Sequence, residues 1–526
     1  MTVAAASAPR SRNLVLAAMI FAVSMTFIDQ TIISIAVPRI QRELSLTTTG
    51  AQWAVNVYLL AMAALFAYGG RLADTYGHRK MVTLGVIIFA AASLLCGLTP
   101  TGGLAQTWLI VFRAIQGAGG AIMFPAALGI VVQTFPLHSR GKALALFFGI
   151  AGGLTAVGPI LGGYLTEWTW RAIFWVNIPI AIIALILIAV SRPQTTHRLA
   201  PMDYRGLALI VAGVGLSVFG FQQSAAWGWT NPAIGLCIAA GLILLVVFYR
   251  YERGRDHPLI DVGIFRSQPF TVENMVLFVS SMAFIPIFFF ASQYAQISLG
   301  EQAQEAGIVL LYFFIGYFVG AQLGGRMLDK IGAKRPVVVG CVLAAVGLWL
   351  WASDMTGLSL SAQTWYIIMA GGGMGLMLGP ASTDAVNRAT STTYGEATGI
   401  TQTVRNYAAS LGIAILGTIL VTQMRSHLTT SLVGQGLPRS RAAALAGHIS
   451  QSHGGSVSSI PHFVRLDFAH ASQDIFYVMA GVMAAAAVIA FAGLRAGRQR
   501  APEEAAGDAA RPATGTAQPV EPGARP

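Results

Sequence analysis

Fourteen apolar runs, each long enough to cross the roughly 30 Å hydrocarbon core of a bilayer as a helix, divide this chain from end to end. They lie approximately at 14–37, 51–73, 81–99, 105–132, 143–165, 171–191, 206–224, 232–250, 270–293, 304–327, 336–353, 364–384, 397–421 and 474–494. In lipid every backbone polar group needs an internal partner, and a helix supplies one to nearly all of them. The runs therefore predict an all-α polytopic membrane protein. With 55% hydrophobic against 10% charged residues, a string of soluble domains is excluded.

The cationic residues follow the parity of the gaps. Arg71, Arg79, Lys80, Arg140, Lys142, Arg326, Lys334 and Arg335 fall in one set, whereas the alternate short gaps hold only Arg39, Arg42 and Arg171. Cytoplasmic loops carry the excess of Lys and Arg, so both termini are expected in the cytoplasm, as an even number of crossings also requires. The net charge of +12 is thereby a topology signal, and no basic groove points to nucleic acid. Arg10 and Arg12 precede a first run with no convincing cleavage site, which reads as an uncleaved helix.

A twelve-residue segment, GGRLADTYGHRK at 69–80, recurs as GGRMLDKIGAKR at 324–335, each time in a basic gap. Such a repeat implies a duplicated bundle, the architecture of a carrier that rocks one half against the other. The first copy follows run 2 and the second follows run 10, so two helices are inserted centrally. The expected organisation is a cytoplasmic segment at 1–13, a six-helix bundle at 14–191, the inserted pair with its flanking loops at 192–269, and a second six-helix bundle at 270–494. Within the latter, 422–473 reads as a long extracytoplasmic loop, and 495–526 reads as a disordered cytoplasmic tail from its Ala, Pro, Gly and charged composition. In the repeat, Gly70, Gly77 and Gly332 permit tight turns, while Arg71, Asp74, Arg79, Lys80 and Asp329 supply the charges of a cytoplasmic gate. Asp74 is expected against a helix N-terminus or paired with Arg79.

Charges inside the runs are few, and each costs a few kcal/mol unless it has a partner or a wet cavity. Asp29 is the clearest acid and Arg113 the clearest base; opposite helix directions bring them to comparable depth. The residues leave two readings: a permanent ion pair holding two helices, or a pair whose carboxyl changes ionisation as its surroundings open and close. Glu273 reads equally as an acid at a helix N-terminus, Asp384 as interfacial, and Arg405 as lining a cavity or reaching toward the cytoplasm. Trp53, Asn56, Tyr58, Gln116, Gln293, Tyr294, Tyr312, Gln322, Asn406 and Tyr407 are the candidate cavity-lining polar and aromatic residues. In the fifth run, GPILGG brings Gly158, Gly162 and Gly163 for close packing and Pro159 for a kink. All nine histidines lie outside the runs, leaving no intramembrane metal or haem ligands, and no metal site is expected. Five of them, His427, His448, His453, His462 and His470, are irregularly spaced and read as solvated.

These motifs resemble the fourteen-helix drug:proton antiporter family of the major facilitator superfamily, over nearly the whole chain. FIDQTIISIAVP at 27–38 is similar to the family's first-helix signature, with Ser34 where Asn is usual. RAIQGAGGA at 113–121 looks like its Arg-x-x-Gln-Gly motif, and GPILGG at 158–163 resembles the antiporter motif, with Leu154 where the fuller form has Gly. WRAIFWVNIP at 170–179, DYRG at 203–206 and HPLIDVGIFRSQPF at 257–270 also fit.

The resemblance implies a major facilitator fold and export of amphipathic drugs or antibiotics from the bacterial cytoplasmic membrane. Inward proton flow would drive it, with no cofactor, and Asp29 and Arg113 would carry the coupling. The protein is expected to work as a monomer among lipids, with the small molecule and protons as its partners. A dedicated exporter of one endogenous metabolite is the alternative, with a solute:proton symporter behind it. No soluble domain or paired loop carboxylates suggest an enzyme.

Overall fold

The computed structural model describes residues 12–193, 202–255, 258–387, 394–451, 460–495 and 497, so all but the last two residues of the expected 1–13 segment and nearly all of the expected disordered tail lie outside the described residues. The described residues are helical. The first half comprises α1 (Arg12–Glu43), α2 (Thr48–Tyr76), α3 (His78–Gly97), α4 (Ala105–Thr134), α5 (Leu137–Leu154), α6 (Val157–Trp168), α7 (Ala172–Trp175) and α8 (Asn177–Ser191). Then come α9 (Tyr204–Trp227) and α10 (Pro232–Glu252). The second half contains α11 (Gln268–Tyr294), a π-helical turn at Ala295–Leu299, α12 (Ala303–Ile331), α13 (Lys334–Asp354), α14 (Leu360–Asn387), α15 (Tyr394–Gly434), α16 (Arg439–Gln451) and α17 (His462–Gly493). Among the described residues, 13 helical stretches are long and apolar enough to cross a membrane. The glycine-dense α14, 28 residues over the twelfth apolar run, is not one of them.

Local chemistry explains where helices start, stop and break. Thr47 caps α2 by accepting from the Gly50 N–H, and Gln302 with Glu305 forms a capping box on α12. The repeated motif ends α2 and α12 in the same way. Gly77 (φ 97°) and Gly332 (φ 82°) adopt positive φ, disfavoured by any side chain, and their N–H groups close on Ala73 and Leu328. The fifth run is two helices because Pro159 has no N–H for the Thr155 carbonyl four residues earlier. That carbonyl instead accepts the Thr31 hydroxyl of α1, at 2.9 Å.

The segment expected as a loop at 422–473 is largely helical: α15 continues to Gly434, α16 follows, and α17 begins at His462. The polar composition that ends the apolar windows does not end the helices, which project past them. Nor are all of its histidines scattered. His427 and His470 stack at 5.4 Å between ring centres, and His427 lies 3.4 Å from Asp474. His453 lies outside the described residues.

The halves meet away from the basic gaps. A Cβ on Gly163 would press on Gln304 of α12, and one on Gly307 would press on the Pro159 carbonyl, so α6 and α12 touch backbone to backbone. The Gln296 side chain also donates to the Ile35 carbonyl of α1 at 2.9 Å, and the Thr48 hydroxyl to that of Ser450 at 3.1 Å. Toward the basic end the same span loosens: a Cβ on Gly149 or Gly152 would meet nothing within 4 Å, and Leu146 and Ile150 are exposed.

Candidate functional site

Arg113 is fully buried inside the first half, and α4 brings it there by packing against α2 at glycine distance. A Cβ on Gly117 would strike the Tyr58 carbonyl of α2. One turn before each of these residues, the same close approach lets Arg113 Nε donate to the Ala54 carbonyl at 2.9 Å. Its Nη1 reaches Asp29 Oδ2 of α1 at 2.5 Å, with neither side chain exposed. Gln116, one turn along α4, accepts from Arg113 at 2.8 Å and donates to Asp29 Oδ1 at 2.8 Å and to Ser93 of α3 at 2.7 Å. Asn177 of α8 donates to Ser93 as well. The Tyr58 ring lies 4.5 Å from the guanidinium centre, close enough for a cation–π contact.

Asp29 thus accepts from two donors on α4, and the ring of contacts Asp29–Arg113–Gln116 is closed. Ser93 and Asn177 were not singled out from sequence; isolated polar residues in apolar stretches were their only signal, although Asn177 falls within the WRAIFWVNIP match. The site is also wired to the opposite half. Two residues beyond Asp29, Thr31 holds the carbonyl freed by Pro159, and a Cβ on Gly158 would collide with Thr31 and with the Ile28 carbonyl. One on Gly162 would meet the Ile32 carbonyl. Continuous backbone contact therefore runs from α1 beside Asp29, through α6, to α12.

The remaining candidates divide. Tyr58 and Gln116 belong to the network. Trp53, Asn56 and Tyr407 bond to α9: Trp53 donates to Gln223 at 3.4 Å and lines a cavity of about 470 Å³ with Phe219, Asn56 bonds to Gln222, and Tyr407 lies 2.9 Å from Ser217. Periodicity marks a polar face on a helix but not its neighbour, so their partners on α9 could not be read from sequence. Tyr294 is buried between the Met355 carbonyl (2.7 Å) and Gln363 (2.8 Å), a structural position, and Gln293 is buried too. Tyr312 is half-buried and packs against the core. Gln322 is exposed on the face of α12 that one turn earlier puts Phe318 beside Gly153. Asn406 is buried, and Arg405 is half-buried on α15 with Gln402 at 3.2 Å. Glu273, five residues after the start of α11, and Asp384, near the end of α14, are both buried.

In the repeated motif, Arg71 donates to the Pro258 carbonyl, tying α2 to the segment after α10. Asp74 lies 3.4 Å from His78, its partner in place of the expected Arg79. Arg79 is half-buried, and Lys80 and Asp329 are exposed.

Comparison with known proteins places this geometry. The chain is 31% identical over 506 residues to a tetracenomycin C resistance and export protein of Streptomyces glaucescens, covering 92% of each. It is 30% identical to a puromycin resistance protein of Streptomyces alboniger (77% of this chain, 81% of that one) and 29% identical to the multidrug transporter MdtP of Bacillus subtilis (85% and 84%). Among solved structures, a bacterial homolog of the lysosomal transporter Spinster, inward-facing and unoccupied, superposes with TM-score 0.59 at 18% identity, covering 92% of this chain and 96% of that one. The xylose transporter XylE from E. coli, partially occluded and inward open, gives 0.57 at 11% identity, with 93% and 99% covered. The Major Facilitator Superfamily profile matches residues 19–413. This chain, a multi-pass membrane protein, belongs to the Major Facilitator Superfamily.

Proposed function

We propose that the protein is a proton-coupled exporter of amphipathic drugs or antibiotics across the bacterial cytoplasmic membrane. It works by alternating access, as a monomer with fourteen crossings and both termini inside. The observation that carries the coupling is the sealed Asp29–Arg113–Gln116 network, within one helical turn of the α1–α6 backbone contact, with α6 in turn touching α12 of the other half. A charged Asp29 satisfies both donors and holds α1 on α4. A proton arriving from outside cancels the charge, releases Arg113 and changes the seat of α1 against α6, and so the α6–α12 contact. Loss of that proton to the inside restores the pair. The proton gradient is then the only energy source, with no bound cofactor.

The export direction rests on the relatives named for antibiotic and multidrug resistance. Two of these are named for one antibiotic, which favours a narrow spectrum as the second reading. The test is accumulation in everted membrane vesicles. With an acid interior, wild-type vesicles should concentrate puromycin or an aromatic dye and lose it when a protonophore is added. Accumulation indifferent to the protonophore overturns the reading.

A further inference from the structure

The second half carries an interior cation with no carboxylate of its own, and we propose that Arg405 binds the acidic group of a planar aromatic substrate. This rests on the exporter reading above and specifies what that exporter takes.

Arg113 shows what a paired intramembrane guanidinium looks like here: a carboxylate at 2.5 Å, an amide and a backbone carbonyl. Arg405 differs. Its Nη1 meets only the Gln402 amide oxygen at 3.2 Å, and its buried Nε has no hydrogen-bond partner. No ion pair among the described residues includes it. A half-buried guanidinium with its Nε sealed off and no counter-charge is costly, and a ligand that brings the charge removes that cost.

The direction of the side chain follows from its helix. On α15, a Cβ at Gly412 would press into the Met282 backbone of α11, and Gly399 lies near Phe66 of α2. At 100° per residue, Arg405 lies about 20° from the Gly412 direction and so projects beside α11, with Gln402 turned from it toward the α2 side. Tyr317 of α12 is within electrostatic reach of the guanidinium. Behind it, Phe284 lies 5.7 Å and Phe314 6.1 Å from the Tyr317 ring. Across the interior, Phe66 and Phe27 pack on Phe124 at 5.4 and 5.8 Å. The register of the repeated motif carries Asp29 onto Phe284, so the second half has an aromatic ring where the first has its acid. An unpaired guanidinium on a helix whose neighbours α2, α11 and α12 are rich in aromatic side chains fits a flat ring system bearing a carboxylate, sulfonate or acidic phenol, held by a charge-assisted bond and by aromatic contact.

The test uses the full chain in lipid nanodiscs and two fluorescent probes that share a ring system: anilinonaphthalene sulfonate and the uncharged N-phenylnaphthylamine. Arg405→Met should weaken sulfonate binding by at least about tenfold while changing the neutral probe by no more than about twofold. Arg405→Lys should recover part of the sulfonate affinity, because the charge returns without the fork. Unchanged sulfonate binding in Arg405→Met, or equal loss of both probes, overturns the assignment. Proton-driven movement of the neutral probe is read in parallel with the same protein in sealed proteoliposomes. If it persists while the sulfonate preference is absent, only the substrate class fails; if no probe moves with the gradient, the exporter reading fails.

Discussion

Replacing Asp29 by Asn keeps the shape of the side chain and removes its charge, and the buried network makes the consequence calculable. Asp29 accepts from Arg113 Nη1 and Gln116 Nε2, one donor per oxygen. An amide has one acceptor. With Asn oxygen toward Arg113, its NH2 faces the Gln116 NH2; turning Gln116 over puts that NH2 against Arg113 instead. Every orientation leaves two donors face to face, and Arg113 keeps no counter-charge. Removing one partner of a buried pair costs about 3–5 kcal/mol. A second variant isolates the charge term: Asp29→Asn with Arg113→Met removes both ions, while Gln116 still donates to Ser93. The double variant should recover most of the loss, giving a coupling energy of at least about 2 kcal/mol in a double-mutant cycle. Reversible denaturant unfolding of the four proteins in one detergent measures it. If Asp29→Asn lies within about 1 kcal/mol of wild type, or the two substitutions add, the pair is not the buried, mutually dependent unit described.

Further outcomes concern the contact between halves and the thiols. Gly163→Leu should wedge α6 from α12, because even a Cβ there meets Gln304; a thiol introduced by Gln304→Cys should then label faster than in the Gly163 background. Glu301, in the turn before α12, shares a hydrogen bond with Glu305 that, with burial and the Glu305 charge, pushes its carboxyl up to about 7 against an opposing pull from Arg465. A raised carboxyl favours the present arrangement at low pH and loses that contribution as pH climbs from about 4.5 to about 7, so labelling of the same Gln304→Cys thiol, divided at each pH by its labelling in the Glu301→Gln background to cancel thiol ionisation, should rise across that window. Cys96 and Cys341 are fully buried and Cys237 only partly, so a membrane-permeant maleimide should modify Cys237 alone in the folded protein, with mass spectrometry locating the adduct.

Hydropathy alone located long apolar helices, 13 of which among the described residues have the length and apolarity that crossing lipid requires, and the duplicated Gly-Gly-Arg segment ends α2 and α12 in the same way. Asp29 and Arg113 stood out for the same reason: a charge in an apolar run is conspicuous. What helical periodicity cannot carry is the neighbour each face meets. Trp53, Asn56 and Tyr407 were visible as polar positions, yet only the packing of α9 across α2 and α15 fixes their partners. The break between α5 and α6 was foreshadowed by Pro159, but its result, a carbonyl handed to Thr31, depends on where α1 lies. The helical extensions of α15 and α17 were missed because their residues are polar, and polarity ends an apolar window without ending a helix.

The central claim is that an acid in the first half exchanges a proton each time substrate crosses. Proteoliposomes with a trapped pH dye, equal pH on both sides and an imposed substrate gradient test it directly. Wild-type protein should move protons against the substrate flow, and Asp29→Asn should exchange substrate while moving none. Substrate flow in the wild type without proton movement, or undiminished proton movement in Asp29→Asn, would contradict the account.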